Sequence, residues 1–372
     1  MKKICVVTAT RAEYGLLRNT MIEIEKEDTL ELCLAVTGMH LDERYGSTVR
    51  EIEEDGFPIA ARIPILAQET DEWGMIQTMG NASIEFGRFF LEEKPDMLVV
   101  LGDRYELFPI CQCALIYGIP IAHISGGEIT EGAIDDAIRN CITQLASLHF
   151  PGCELYRRRI IDMGRSEDSV YNFGDVGVEN IRTMNYMSKE ELEESIGFVL
   201  DVPYACVTFH PVTKEKGMAV HQVRELLNAM SRFPDMKFII TKANADAQGD
   251  QINEEIDHFV KEHDNCRAFF SLGIRRYLSA LKYASMVIGN SSSGIVEAPC
   301  FGIPTINIGN RQKGRLQATS ILNCEAESQQ IVDTIQRAMS KEFIKIAKNT
   351  KNPYGEGNTS KEIVKVIKKY FE

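Results

Sequence analysis

Short apolar runs alternate with segments of helical period along the first half of the chain. Residues 4–8 are rich in β-branched side chains and read as a strand; a polar turn and a helix-period segment over 14–27 follow, and 30–36 is the next strand. Residues 97–101 and 119–124 are further short strands, separated by the helix-like ELFPICQCALIYG. Such short, mostly apolar strands suit burial on both faces, and strict alternation with helices predicts βαβ units around a parallel sheet. A looser stretch over 166–181 interrupts the pattern, which then resumes. It gives a strand over 204–209 that ends at His210 and Pro211, helices over 222–232 and 251–262, and strands over 237–241, 286–289 and 305–308. A last helix, 360–371, follows the Pro/Gly-rich turn NPYGEGN and suits packing on either half. The expected class is α/β, with two Rossmann-like doubly wound domains over 1–175 and 176–355 and a C-terminal helix over 356–372.

Composition agrees with two domains, because 372 residues exceed what one hydrophobic core usually carries. A hydrophobic share of 44% excludes wholesale disorder. The chain has 41 Lys plus Arg against 54 Asp plus Glu, a net charge of −13, and no basic clusters. That balance argues against a nucleic-acid or anionic-membrane surface, which needs a positive face; local basic pockets stay open. The apolar run at 4–9 is too short for a signal peptide, and no stretch approaches a membrane span, so a cytoplasmic protein is expected. Ten scattered cysteines include no C-x-x-C pair and are expected to be buried, reduced thiols.

Open parallel sheets bind ligands at the carboxyl ends of their strands, so two such domains should share an interdomain cleft. After the strand at 286–289 comes GNSSSG, whose serine hydroxyls and backbone N–H groups at a strand-to-helix turn suit a phosphate or diphosphate, though the same serines serve simply to cap a helix. Glu297 follows where a carboxylate can accept from a ribose; an ordinary surface glutamate is the alternative. Arg311, Lys313 and Arg315, three cations within five positions beside Gly309 and Gly314, suit a leaving diphosphate or a solvated basic loop. The first βα turn, Thr10 to Gly15, matches neither G-x-G-x-x-G nor the P-loop. Asp103 and Arg104 follow VVLG, and His123 to Glu128 follow IPIA; Asp135, Asp136 and Arg139 lie on the next helix, where Asp135 and Arg139 stand four apart. Carboxylates crowded at adjacent strand ends raise each other's pKa and suit proton transfer. His210, at a strand end before a proline, suits either a site or a structural role.

Together TRAEYG at 10–15, TGMHL at 37–41, LGDRYE at 101–106, HISGGE at 123–128, GAIDDAIRN at 132–140, HPVT at 210–213, GNSSSGIVEAP at 289–299 and NIGNRQKGR at 307–315 resemble the hydrolysing UDP-N-acetylglucosamine 2-epimerases of bacterial sialic acid synthesis. The match runs in order over essentially the whole chain, and GDR in place of a GDT-type motif points to the hydrolysing branch. The resemblance implies a glycosyltransferase-B arrangement, with the C-terminal helix crossing back to the first domain. It implies conversion of UDP-N-acetylglucosamine and water to N-acetylmannosamine and UDP, by elimination to a 2-acetamidoglucal and hydration, without NAD or an obligatory metal.

By the same resemblance Asp103, Glu128 and Asp135 are the acid/base carboxylates, with Asp136 in reserve for the last and otherwise substrate-binding. Arg139 and His210 position sugar and diphosphate. Arg11, Ser291, Ser292 and Arg311 hold the diphosphate and Glu297 the ribose; Arg104 and Asn244 complete the binding set. The family implies a homodimer or homotetramer. Three alternatives are a relative acting on UDP-2,4-diacetamido-2,4,6-trideoxyglucose in the legionaminic acid pathway, a glycosyltransferase of the same fold, and a non-catalytic nucleotide-sugar binder.

Overall fold

The eight apolar runs named above are strands, and each sheet gains one further strand at either edge. In the computed structural model, which describes residues 1–244, 248–355 and 357–372, the first sheet contains β1 (Lys2–Thr8), β2 (Leu30–Thr37), β3 (Ile59–Ile63), β4 (Met97–Leu101), β5 (Ile121–Ile124) and β6 (Leu148–Phe150). The second contains β7 (Tyr204–Thr208), β8 (Lys237–Thr241), β9 (Cys266–Phe269), β10 (Met286–Gly289), β11 (Thr305–Ile308) and β12 (Ile321–Cys324). The orders are β3-β2-β1-β4-β5-β6 and β12-β11-β10-β7-β8-β9. Every pairing between these strands is parallel. Each sheet thus has the doubly wound Rossmann order, with its reversal between the first and fourth strands, β1 and β4 or β7 and β10.

Both faces of the first sheet are buried, as the uninterrupted apolar strands require. Ile4 and Val6 of β1 pack with Leu17, Met21 and Ile24 on one side. Cys5 and Val7 face Phe86, Phe90, Ile110 and Cys111 on the other. In the second sheet Val207, Phe238, Ile288 and Ile306 form one core with Val223, Leu226 and Ile335. The first helix begins at Arg11, three residues before the apolar period suggests, because Thr10 and Glu13 form a capping box. The Glu13 carboxylate accepts from the Ala9 and Thr10 amides at 2.9 and 3.0 Å.

The chain divides into one unit of Met1–Glu128, Ile134–Arg182 and Tyr354–Glu372 and another of Ile129–Ala133 and Thr183–Pro353. The boundary thus falls after Arg182, not 175, because the helix Val176–Thr183 packs with the first unit: Asn180 donates to the Gly15 carbonyl at 2.7 Å and accepts from Asn19 at 2.9 Å. Likewise the last segment joins the first unit from Tyr354, two residues before the expected 356. Its helix, Thr359–Tyr370, buries Ile363 and Ile367 beside Leu17 and Met21, and its Ser360 hydroxyl accepts from Thr20. Ile129–Ala133 was not foreseen as part of the second unit. Glu131 donates its amide to the Lys313 carbonyl at 3.0 Å, and a Cβ on Gly132 would lie 2.3 Å from the Asn310 carbonyl oxygen. The motif therefore has glycine where backbone meets backbone. Among the described residues no helix is long and apolar enough to cross a membrane. The cysteines are free thiols, but Cys141 is exposed and Cys300 and Cys324 are only half-buried, not buried as expected.

Candidate active site

In the first unit the carboxylates of Asp103 and Asp136 and the backbone of Glu128 meet one buried guanidinium. Arg139, on the helix Asp135–Leu145, is 2% exposed. Its Nη2 donates to Asp103 Oδ2, its Nη1 donates to the Glu128 carbonyl at 3.0 Å, and Asp136 Oδ1 lies 3.9 Å from Nη1. Arg159 also donates to the Gly127 and Glu128 carbonyls, at 2.9 and 2.6 Å. The strand ends of β4 and β5 are thereby tied to one helix through Arg139 in its second turn, and at its N-terminus the carboxylates of Asp135 and Asp136 are favoured by the dipole. Glu128 is buried, whereas Asp103, Asp135 and Asp136 are partly open. A buried arginine holding two acidic strand ends keeps carboxylates close together that would otherwise repel.

Around β1 and β4 lies a second charged group, of which sequence reading singled out only Arg104. Arg104 Nε donates to Glu106 Oε1 at 3.2 Å, and both residues are buried. Glu13 is pushed up to about 8, chiefly by burial and then by the Glu106 charge, so it is protonated at neutral pH. Its membership of TRAEYG was the available signal. His40 of TGMHL is also buried, between the Thr8 hydroxyl at 3.0 Å and the Thr48 hydroxyl at 2.8 Å. Burial lowers it to about 4, which keeps it neutral. His123 is neutral for the same reason, at about 4; its Nε2 lies 2.7 Å from the Gly102 carbonyl and therefore carries the proton. Half-buried Arg11 starts the helix Arg11–Glu25.

In the second unit Asn290 organises the strand ends, a role its sequence position in GNSSSG did not reveal. It is fully buried and exchanges two bonds with the His210 backbone: the His210 amide donates to its Oδ1 at 2.7 Å, and its Nδ2 donates to the His210 carbonyl at 2.8 Å. The Asn290 carbonyl accepts from Arg311 Nη1 at 3.1 Å and Gln312 Nε2 at 2.8 Å. His210 and Arg311 therefore meet the serine turn through one residue, His210 by the Asn290 side chain and Arg311 by its backbone carbonyl. The Asn244 amide donates to His210 Nδ1 at 3.5 Å, which leaves the proton of a neutral ring on Nε2. The rest of the KANADAQG loop, residues 245–247, lies outside the described residues.

Ser291 caps the helix Ser292–Val296 by accepting from the Ser293 amide at 3.4 Å, and Ser292 is exposed. That helix has five residues, so its dipole is weak and any anion held here depends on hydroxyls and individual N–H groups rather than on a helix end. Glu297 follows it as the C-cap. Among the described residues no three His, Cys, Asp or Glu side chains converge to hold a metal ion.

The family model described as UDP-N-acetylglucosamine 2-epimerase matches residues 22–368. The chain is 40% identical to the GDP/UDP-N,N'-diacetylbacillosamine 2-epimerase (hydrolyzing) of Campylobacter jejuni, over 92% of this chain and 88% of that one. It is 38% identical to polysialic acid biosynthesis protein P7 of Escherichia coli, over 100% and 95%. Among solved structures, the UDP-GlcNAc 2-epimerase from Neisseria meningitidis bound to UDP-GlcNAc superposes with a TM-score of 0.81 at 20% identity, covering 99% of this chain and 100% of that one. The two Rossmann-like domains thus have the glycosyltransferase-B-like fold of such epimerases.

Proposed function

This chain belongs to the UDP-N-acetylglucosamine 2-epimerase family as a hydrolysing UDP-sugar 2-epimerase, and from that premise we propose that it converts UDP-N-acetylglucosamine and water to N-acetylmannosamine and UDP in the cytoplasm, for sialic acid synthesis. In the first step a base takes the proton from C-2 while the C-1 to oxygen bond to UDP breaks, leaving a C-1/C-2 double bond. In the second, water adds its oxygen to C-1 and a proton returns to C-2 from the opposite face. C-2 loses and regains a proton without change of oxidation state, so no hydride carrier is called for. The observation that carries the reading is the pair of carboxylates, Asp103 and Asp136, at the buried Arg139 guanidinium, with the Glu128 backbone bonded to the same group: a binder of an anionic ligand gains nothing from them, whereas proton transfer at two faces of C-2 needs at least two such groups.

Asp103, Glu128 and Asp135 serve as acid and base, with Asp136 beside them, and Arg139 and His210 position the sugar and diphosphate. Arg11, Ser291, Ser292 and Arg311 bind the diphosphate and Glu297 the ribose, with Arg104 in the binding set and Asn244 beside His210. Arg311 offsets charge on departing UDP, the kind of stabilisation that grows as the bond breaks.

A second sugar is favoured by one observation, the 40% identity to a diacetylbacillosamine epimerase. UDP-2,4-diacetamido-2,4,6-trideoxyglucose would undergo the same two steps, changing only what meets C-4 and C-6. An NMR time course in deuterated water, with each UDP-sugar separately and no acceptor, tests both. Deuterium at C-2 of a released N-acetylmannosamine, with equimolar UDP, is the expected result. Release only from the diacetamido sugar moves the assignment to that substrate; silence with both overturns the epimerase activity.

We also propose that the chain forms homo-oligomers, as a dimer or tetramer, through the helix Glu72–Glu93. Trp73, Ile76, Ile84 and Leu91 are 57–59% exposed and, with Gly80 and Gly87, repeat at three- and four-residue intervals along one stripe. A Cβ on either glycine would meet nothing within 4 Å, so a second helix has room to approach closely. Ile84→Glu is expected to shift the sedimentation coefficient to that of a monomer at micromolar concentration; an unchanged value would place the interface elsewhere.

A further inference from the structure

Strand β5, IAHI, is buried from end to end, and His123 is its one polar residue. Side chains alternate across a strand, so His123 points to the same face as Ile121, into the core that holds Phe86, Ile110 and Ile142. An imidazole placed there needs partners for both nitrogens. Nε2 lies 2.7 Å from the Gly102 carbonyl, and Nδ1 lies 3.2 Å from the Thr143 hydroxyl. A carbonyl can only accept, so in the neutral ring Nε2 carries the proton and Nδ1 accepts from Thr143, which is itself fully buried. A Cβ on Gly126 would lie 2.8 Å from Nδ1 and 3.0 Å from the Thr143 hydroxyl oxygen, so the first glycine of HISGGE leaves room for this pair.

The partner carbonyl stands where the chain leaves β4. The Gly102 amide donates to the Ile124 carbonyl at 2.9 Å, continuing the β4–β5 ladder, and its φ of 78° turns the backbone into the left-handed region. Among the described residues no backbone amide donates to the Gly102 carbonyl, and His123 does. That carbonyl shares one planar peptide unit with the Asp103 amide, so holding its oxygen sets the direction in which the Asp103 Cα is carried. At the other end of Asp103 the carboxylate accepts from Arg139. Arg139 and Thr143 are four positions apart on the helix Asp135–Leu145 and therefore neighbours on one face. One helix thus reaches the LGDR turn twice, directly through the Arg139 guanidinium and indirectly through Thr143 and His123.

We infer that His123 is a positioning residue for Asp103: by donating to the Gly102 carbonyl while Thr143 holds its other nitrogen, it fixes the backbone of the turn on which Asp103 is carried. Arg139 alone constrains only the carboxylate, which two side-chain torsions separate from the Cα; the imidazole supplies the second point that a defined position needs. His123 is no acid or base in its own right, since it is fully buried, neutral and engaged at both nitrogens. The inference rests on the proposed role of Asp103 in the UDP-sugar reaction.

Side chains that keep or lose the N–H supply the test in the full-length protein. His123→Gln retains a donor for the Gly102 carbonyl, whereas His123→Leu fills the space without one. His123→Leu is expected to have a kcat at least about tenfold below wild type, the lower end of what misplacing a catalytic group costs, with KM within about threefold. His123→Gln should recover kcat to within about threefold of wild type. Thr143→Val, which keeps the shape and loses the hydroxyl, should lower kcat in the wild-type background and leave it unchanged in the His123→Leu background. A role in stability alone would lower Tm and leave the kcat of the folded enzyme untouched. That result, a His123→Gln as slow as His123→Leu, or additive losses in the double variant would overturn the inference; should His123→Leu fail to fold, a wild-type kcat in Thr143→Val overturns it by itself. Amide exchange over residues 102–106, read by mass spectrometry, is independent of the sugar: it should be faster in Thr143→Val than in the wild type. Wild-type exchange in that variant counts against His123 even if neither UDP-sugar turns over, an outcome that defeats the proposed activity separately.

Discussion

Asp103→Asn is expected to lower turnover of the UDP-sugar by at least about a hundredfold, the usual scale for losing a general acid or base, while the affinity for UDP stays within about twofold. The two halves of this expectation come from separate units. Asp103 follows β4 and accepts from buried Arg139, so the amide removes both a proton carrier and the charge partner of a guanidinium held in the interior. The groups proposed to bind the diphosphate at Ser291 and Arg311 lie in the other unit and keep their bonds around Asn290. Glu128→Gln is expected to behave similarly in turnover, since its amide side chain leaves the backbone carbonyl that Arg139 and Arg159 hold. Measuring kcat by released UDP and Kd for UDP by calorimetry separates chemistry from binding. Turnover within about threefold of wild type would remove Asp103 from the acid/base group, and a parallel loss of UDP affinity would show that the substitution disturbs the fold rather than the reaction.

What the sequence discloses of the fold depends on where a strand sits in its sheet. The eight central strands, β1, β2, β4, β5, β7, β8, β10 and β11, are covered on both faces and flanked on both sides, so their sequences are predominantly apolar and stand out from any helix. The four edge strands do not stand out. β3 alternates half-buried and exposed positions over IAARI, β9 carries Arg267, β12 exposes Asn323, and β6 has three residues. An edge strand has one partner and needs less apolar surface, so its pattern merges with that of a loop. The helix Glu72–Glu93 is obscured for a different reason: apolar residues lie both on its buried face, at Phe86, Phe89 and Phe90, and on the exposed stripe from Trp73 to Leu91, which blurs the 3.6-residue period.

The candidate site divides along similar lines. Residues that follow a central strand directly, such as Asp103, His210 and Ser291, can be placed from the strand alone. Asn290 follows one too, yet its importance lies in bonds to His210 and to Arg311, 80 and 21 positions away, and a buried amide has no spacing rule that would announce them.

Gly289→Ala is expected to abolish folding of the second unit or reduce its stability by more than about 4 kcal/mol, the range reserved for substitutions with a specific steric cause. Gly289 is the last residue of β10, pairs with Thr208 of β7 and has φ 132°. A Cβ there would lie 1.9 Å from the Thr208 carbonyl oxygen and 2.8 Å from its carbon, neither of which can move without parting the two central strands. Parting them would break the bond from the Asn290 amide to the same carbonyl, at 3.1 Å, and displace Asn290 from the His210 backbone. Gly309→Ala is the control. Gly309 follows β11 in the same sheet with φ 69°, but its added Cβ would meet nothing within 4 Å, so only the backbone penalty of about 1 to 2 kcal/mol applies. Urea unfolding of both variants, with UDP affinity measured on whatever folds, should separate them by at least about 2 kcal/mol, the difference between those two costs. Equal stabilities would mean that β10 and β7 tolerate a side chain at their closest approach, and the account of how GNSSSG is held beside His210 would fall with them.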